Sequence, residues 1–137
     1  MGYQENQTVL RNIIRKKALE IGFDAVGIAN LRNGKIAGDR LRAFLGAGRH
    51  GSMKWMSDRA NLRANPRMLW PEAKSVLVVG MNYGPNFSPL ADLNRRTIGT
   101  VAAYSRGYDY HVMMKSKLKH LGKWITESTN ADVKIFV

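Results

Sequence analysis

Apolar residues recur at helical spacing early in the chain. Val9, Leu10, Ile13, Ile14, Ala18 and Ile21 lie on one predicted stripe, Thr8 precedes them as a candidate cap, and Gly22 follows as a stop. FDAVGIA, over Phe23–Ala29, then reads as a short strand. LRNGKIAGD is turn-rich, with glycines at Gly34 and Gly38, and Asp39 is placed to cap a second helix carrying Leu41, Phe44 and Leu45. From Gly46 to Pro71 no single period holds. Gly46-Ala47-Gly48 reads as a helix end and tight turn, and a short helix near Ser52–Asp58 is expected inside an ordered loop. KSVLVVGMNY, from Lys74, is the clearest candidate for a buried strand, because Val76, Leu77, Val78 and Val79 are β-formers in a continuous apolar run. GPNFSPLADLNRRTIG shows no core pattern and reads as a long loop; GTVAAYS reads as another strand. Asp109 heads a long predicted helix whose stripe is Tyr110, Met113, Met114, Leu118, Leu121, Trp124 and Ile125. VKIFV is the last predicted strand.

The order α-β-α-β-β-α-β predicts an α+β fold with mixed α/β layers, a small sheet of about four strands packed with three or more helices. The 137 residues are the size of one ordinary domain. A core-like strand as the last five residues reads as the end of a fragment from a longer protein.

Composition narrows the class. The chain is 45% hydrophobic and 23% charged, which suits a folded protein with a core. No apolar run approaches the roughly 18 residues that a membrane span needs, and MGYQENQTVLRN lacks the apolar run of a secretory signal. With no cysteine, the chain can supply no disulfide, thiolate metal site or iron–sulfur ligand, which fits a reducing cytoplasm. Lys and Arg number 22 against 10 Asp and Glu, a net charge of +12. That excess draws a protein toward polyanions such as nucleic acid; its plainer reading is a basic solvated surface.

Few motifs carry chemistry by themselves. There is no G-x-S-x-G elbow and no G-x-x-x-x-G-K-[ST] loop. His50, His111 and His120 lack metal-ligand spacing. The richest stretch is YSRGYDYH, Tyr104–His111. Gly107 permits a turn there and Asp109 is placed as a helix cap. Tyr104, Arg106, Tyr108, Tyr110 and His111 remain open between structural roles and ligand binding at a helix start, where free N–H donors, phenol rings and a guanidinium would meet. Asp109-Tyr110-His111 begins like the corrinoid-binding signature D-x-H-x-x-G, but Met114 stands where its glycine belongs, so His111 is not assigned as a cobalt ligand.

Taken together, HGSMKWM, then R-x-N-P-x-x-L-x-P-x-A-K-S-V from Arg63 to Val76, then YSRGYDYH resemble in order and spacing the N-terminal region of epoxyqueuosine reductase. The resemblance runs over nearly the whole chain and implies about the first third of that enzyme, the N-terminal part of a larger cobalamin-binding domain. It implies the final step of queuosine biosynthesis, reduction of epoxyqueuosine to queuosine in a tRNA anticodon loop. The cofactors implied are a cobalamin without a histidine ligand and two [4Fe-4S] clusters. The family's ferredoxin-like module and helical repeats are absent here, and with them the cluster ligands. The family's proton-donor aspartate would follow the strand resembling VKIFV, beyond Val137, so no catalytic residue is assigned and the isolated chain is expected to be inactive. The resemblance also implies a cytoplasmic monomer acting on tRNA.

Under this resemblance Arg63, Tyr104, Arg106 and Tyr108 are placed nearest the cofactor or substrate. For Arg63, a phosphate contact or a salt bridge stays open. Lys115, Lys119 and Lys123, at i, i+4 and i+8, form a solvated face available to tRNA phosphates. His50 and Met53 are read as shaping their loop, and Trp55, Trp70 and Trp124 as core. The rival reading is a basic RNA-binding module without redox activity.

Overall fold

The computed structural model describes residues 2–31, 34–105 and 109–136, with the side chains of all but residues 2–5, 89, 92 and 104. It contains helix α1 (Gly2–Glu20), strand β1 (Ala25–Asn30), helices α2 (Gly34–Gly46), α3 (Lys54–Asp58), α4 (Ala60–Ala64) and α5 (Pro66–Leu69), strand β2 (Ser75–Gly80) and helix α6 (Tyr110–Thr129). Two short 3-10 turns, Pro89–Asn94 and Ala103–Ser105, lie between β2 and α6. The mixed α/β class is as predicted.

Among the described residues the sheet has two strands rather than about four. The Asp24 N–H, just before β1, donates to the carbonyl of Gly80 at the end of β2 over 2.9 Å, so the strands run antiparallel. Both missing strands have a local explanation. In GTVAAYS, Ser105 donates its backbone N–H (3.0 Å) and its hydroxyl (2.9 Å) to the Ala102 carbonyl. A hydroxyl that closes a turn in this way competes with a strand ladder. VKIFV is irregular over its described residues and packs through side chains. A Cβ on Gly122 of α6 would stand 3.0 Å from Ile135 Cδ1 and 3.4 Å from Val133 Cγ1. With one partner strand, β2 is also less covered than its apolar run predicts: Val78 is 58% exposed.

The chain divides into two compact units: residues 1–26 with 79–137, and residues 27–78. In the first, α1 ends at a turn where Gly22 adopts φ +93°, a conformation that favours glycine. Ala18, Phe23 and Leu121 form the buried apolar centre, with Leu121 only 1% exposed. The Lys117 ammonium of α6 donates to the Gly22 carbonyl at 2.7 Å and lies 5.9 Å from the Phe23 ring centroid. Helix α1 starts earlier than Thr8 predicts, because Gly2–Gln7 contains no proline or other strong breaker after its first residue.

In the second unit α2 also starts early. Gly34 and Gly38 look like turn residues, yet both are helical. Gly38 is buried where α4 crosses, and a Cβ there would meet the Ala64 carbonyl oxygen at 2.8 Å. The glycine therefore serves a close helix–helix approach instead of a chain reversal. Asn65 caps α5 by accepting the Arg67 N–H at 3.1 Å, and Pro66 occupies the first helical position. The Asn-Pro pair of the R-x-N-P segment is thus a helix start.

Candidate functional site

The helix predicted from Asp109 is present and capped as expected. The Asp109 carboxylate accepts the His111 N–H at 2.9 Å and lies 3.0 Å from His111 Nδ1. These two hydrogen bonds, the backbone one first, hold the Asp109 pKa below its ordinary value of 3.8. The Tyr110 and His111 rings stack with centroids 4.1 Å apart. His111 is therefore engaged with its cap and its neighbour. Tyr104 lies in the 3-10 turn before this helix, and its side chain is outside those described. Arg106 and Tyr108 lie outside the described residues altogether.

Arg63 belongs to the other unit. It sits on α4 with its guanidinium carbon 4.6 Å from the Trp55 ring centroid, an exposed cation–π contact. Trp55, read as core from the sequence, is 53% exposed and serves as this platform.

Lys115, Lys119 and Lys123 are all exposed on one face of α6. Eight residues of helix separate the outer two, about 12 Å. Lys123 pairs with Glu127 at 3.7 Å. Among the described residues Lys115 and Lys119 have no carboxylate partner.

Sequence reasoning missed a cavity of about 510 Å³ in the second unit, lined by residues of α2, α4 and α5 and by Leu31. Lys35, Arg42 and Arg67 supply its charge. Its signal in the sequence was the run of basic residues around Asn65-Pro66, visible only as charge until α2 is seen to supply a second wall. Gly46–Gly51 carries the spacing G-x-G-x-x-G, but it follows helix α2 and forms a turn instead of linking a strand to a helix. It therefore lacks the context of a dinucleotide fingerprint. His50 closes that turn through its carbonyl, which accepts the Met53 N–H at 3.0 Å, while its Nδ1 is buried without a hydrogen-bond partner.

The model of the family described as "Epoxyqueuosine reductase QueG, DUF1730" matches residues 63–137, a span that includes both the R-x-N-P segment and YSRGYDYH. The chain belongs to the epoxyqueuosine reductase family. Among curated relatives, the epoxyqueuosine reductase of Salmonella typhimurium is 39% identical over 83% of this chain and 30% of its own length. That of Vibrio cholerae is 34% identical over 93% of the chain and 33% of its own length. That of Prochlorococcus marinus is 36% identical over 96% of the chain and 41% of its own length. The chain thus spans about a third of the epoxyqueuosine reductases it matches. No solved structure matches it.

A corrinoid can be weighed against the described residues of this family member. The 510 Å³ cavity suits a small ligand, not a corrin ring with its amide arms. Of the four residues placed nearest the cofactor, only Arg63 has a described side chain, and it is exposed. The described residues do not by themselves fit a corrin. Among them there is also no cluster of three or more His, Asp or Glu side chains placed for a metal ion. No described helix is long and apolar enough to cross a membrane.

Proposed function

We propose that this chain is the N-terminal portion of a cytoplasmic epoxyqueuosine reductase and that its part in the reaction is to engage tRNA. The family match over residues 63–137 carries this reading. The net charge of +12 and the exposed Lys115, Lys119 and Lys123 support it, because an RNA ligand is held largely by phosphate neutralisation. In the whole enzyme, cobalamin and two [4Fe-4S] clusters would supply the reducing chemistry. The cluster ligands must come from outside this cysteine-free chain. Arg63, on α4, is the described residue of this chain proposed to meet the cofactor or the modified nucleoside.

The test is binding of a queuosine-type tRNA by the full chain across a salt series. Affinity should fall as salt rises. The triple variant Lys115→Gln, Lys119→Gln, Lys123→Gln should lower the slope of log affinity against log salt by about 2, at roughly 0.7 for each phosphate no longer neutralised. An unchanged slope and affinity would remove the lysine face from the interface. The net charge of +12 suits a second reading as well, an RNA-binding module that works without redox chemistry. The two separate on adding cobalamin and recording its visible spectrum. In the full-length protein, a spectral change that Arg63→Ala weakens supports the first reading, and RNA binding with no cobalamin uptake supports the second.

A further inference from the structure

We propose that the cavity bounded by α2, α4 and α5 binds a small phosphate-bearing molecule of the mononucleotide class. The inference rests on this cavity alone and not on the family's reaction. Among the described residues three cations line it, Lys35, Arg42 and Arg67, and no acidic residue does. Asp39, on α2 but not in the lining, takes one Arg42 nitrogen at 2.6 Å. This contact steadies that guanidinium and leaves most of its donors free. Lys35 and Arg67 have no carboxylate partner among the described residues, so among these residues positive charge in the cavity exceeds negative.

The other lining residues define what accompanies the phosphate. Leu31, Ala64 and Met68 form an apolar wall suited to the face of a flat ring. Asn61 and Asn65 add amide groups. The Asn65 side-chain oxygen is already committed to the Arg67 N–H, so this residue offers its amide N–H donors to a ligand. Cations for the phosphate, donors for ring carbonyls and an apolar wall, within about 510 Å³, together match one nucleotide. The backbone support is built in: the Asn65 cap and Pro66 hold the start of α5, and Gly38 lets α4 approach α2 closely.

The experiment is titration of the full chain with a purine nucleoside monophosphate, the same nucleoside without phosphate, inorganic phosphate, and a short single-stranded oligoribonucleotide, followed by calorimetry and by amide chemical shifts. The monophosphate should bind with shifts centred on Leu31, Asn61, Asn65 and Met68. The nucleoside and inorganic phosphate should each bind at least about tenfold more weakly. Arg67→Gln and Lys35→Gln, both at exposed positions, should each weaken the monophosphate about tenfold and leave the thermal midpoint unchanged, whereas Lys16→Gln on α1 should change neither binding nor midpoint. Inorganic phosphate binding as tightly as the monophosphate would overturn the proposal, because the apolar wall would be idle. So would an oligoribonucleotide that shifts these residues when the monophosphate does not, since the ligand would then be an RNA phosphodiester.

Discussion

The two compact units are held together in different ways. In residues 1–26 with 79–137, long helices bury side chains: Ala18 from α1, Phe23 from the following turn and Leu121 from α6. In residues 27–78, no helix after α2 exceeds five residues, and Ala64 is the buried hydrophobic residue among those described. There the close contact is backbone against backbone, with the α-carbon of Gly38 set against the Ala64 carbonyl. A glycine keeps space open in both units, Gly122 in the first and Gly38 in the second, but among the described residues only the first also buries large side chains. Removing carbons at Leu121 should therefore harm the first, and adding a methyl at Gly38 should harm the second.

Leu121→Ala should have the largest effect. It should destabilise the chain by about 2–5 kcal/mol, read from chemical denaturation, with faster amide exchange concentrated in residues 1–26 and 79–137. Gly38→Ala should cost about 1–3 kcal/mol, reduced by alanine's better helix propensity, with faster exchange in residues 27–78. If both variants accelerate exchange evenly along the whole chain, the two units open as one and the contrast fails. A smaller effect sharpens the second unit's dependence on local contacts: Arg63→Ala should cost about 0.5–1 kcal/mol through loss of the Trp55 stacking and shift the Trp55 fluorescence.

Asp109→Asn is the smallest and works through pH. Asparagine keeps the capping geometry but loses the charge. Because the Asp109 pKa is lowered in the folded chain, its contribution is complete above the ordinary carboxylate value and disappears as pH falls through the lowered one. The variant should therefore melt slightly below the parent near neutral pH, and the two should converge once the pH falls below the lowered Asp109 value. A gap that persists in acid would mean the carboxylate charge is not what stabilises the start of α6.

The legible parts of this molecule are those whose cause lies within a few residues. The α6 start at Asp109, the end of α1 at Gly22, the short helix over Lys54–Asp58 and the exposed lysines of α6 all follow from capping, glycine and period. The ordered motifs were enough to indicate the family, which the match over residues 63–137 bears out. The candidate site was legible only in part. Arg63 was singled out, but its partner Trp55 was taken for core, because a tryptophan's apolar content does not reveal whether a cation covers it.

The remaining features depend on partners distant in sequence. GTVAAYS and VKIFV have strand composition, but strands require ladders; a serine turn took one segment and the small surface of Gly122 received the other. Val9 and Ile13 lie on the helical stripe, yet they are 56% and 48% exposed, because periodicity names a face without supplying its cover. Gly38 is a turn signal in one dimension and a helix-crossing residue in three. Lys35 and Arg67 are 32 positions apart as numbered, too far for any local pattern to join, and line one cavity only because α2, α4 and α5 meet. The sequence by itself determined the family, the charge and the local starts and stops; long-range packing decided which apolar faces are covered and which basic residues share a cavity.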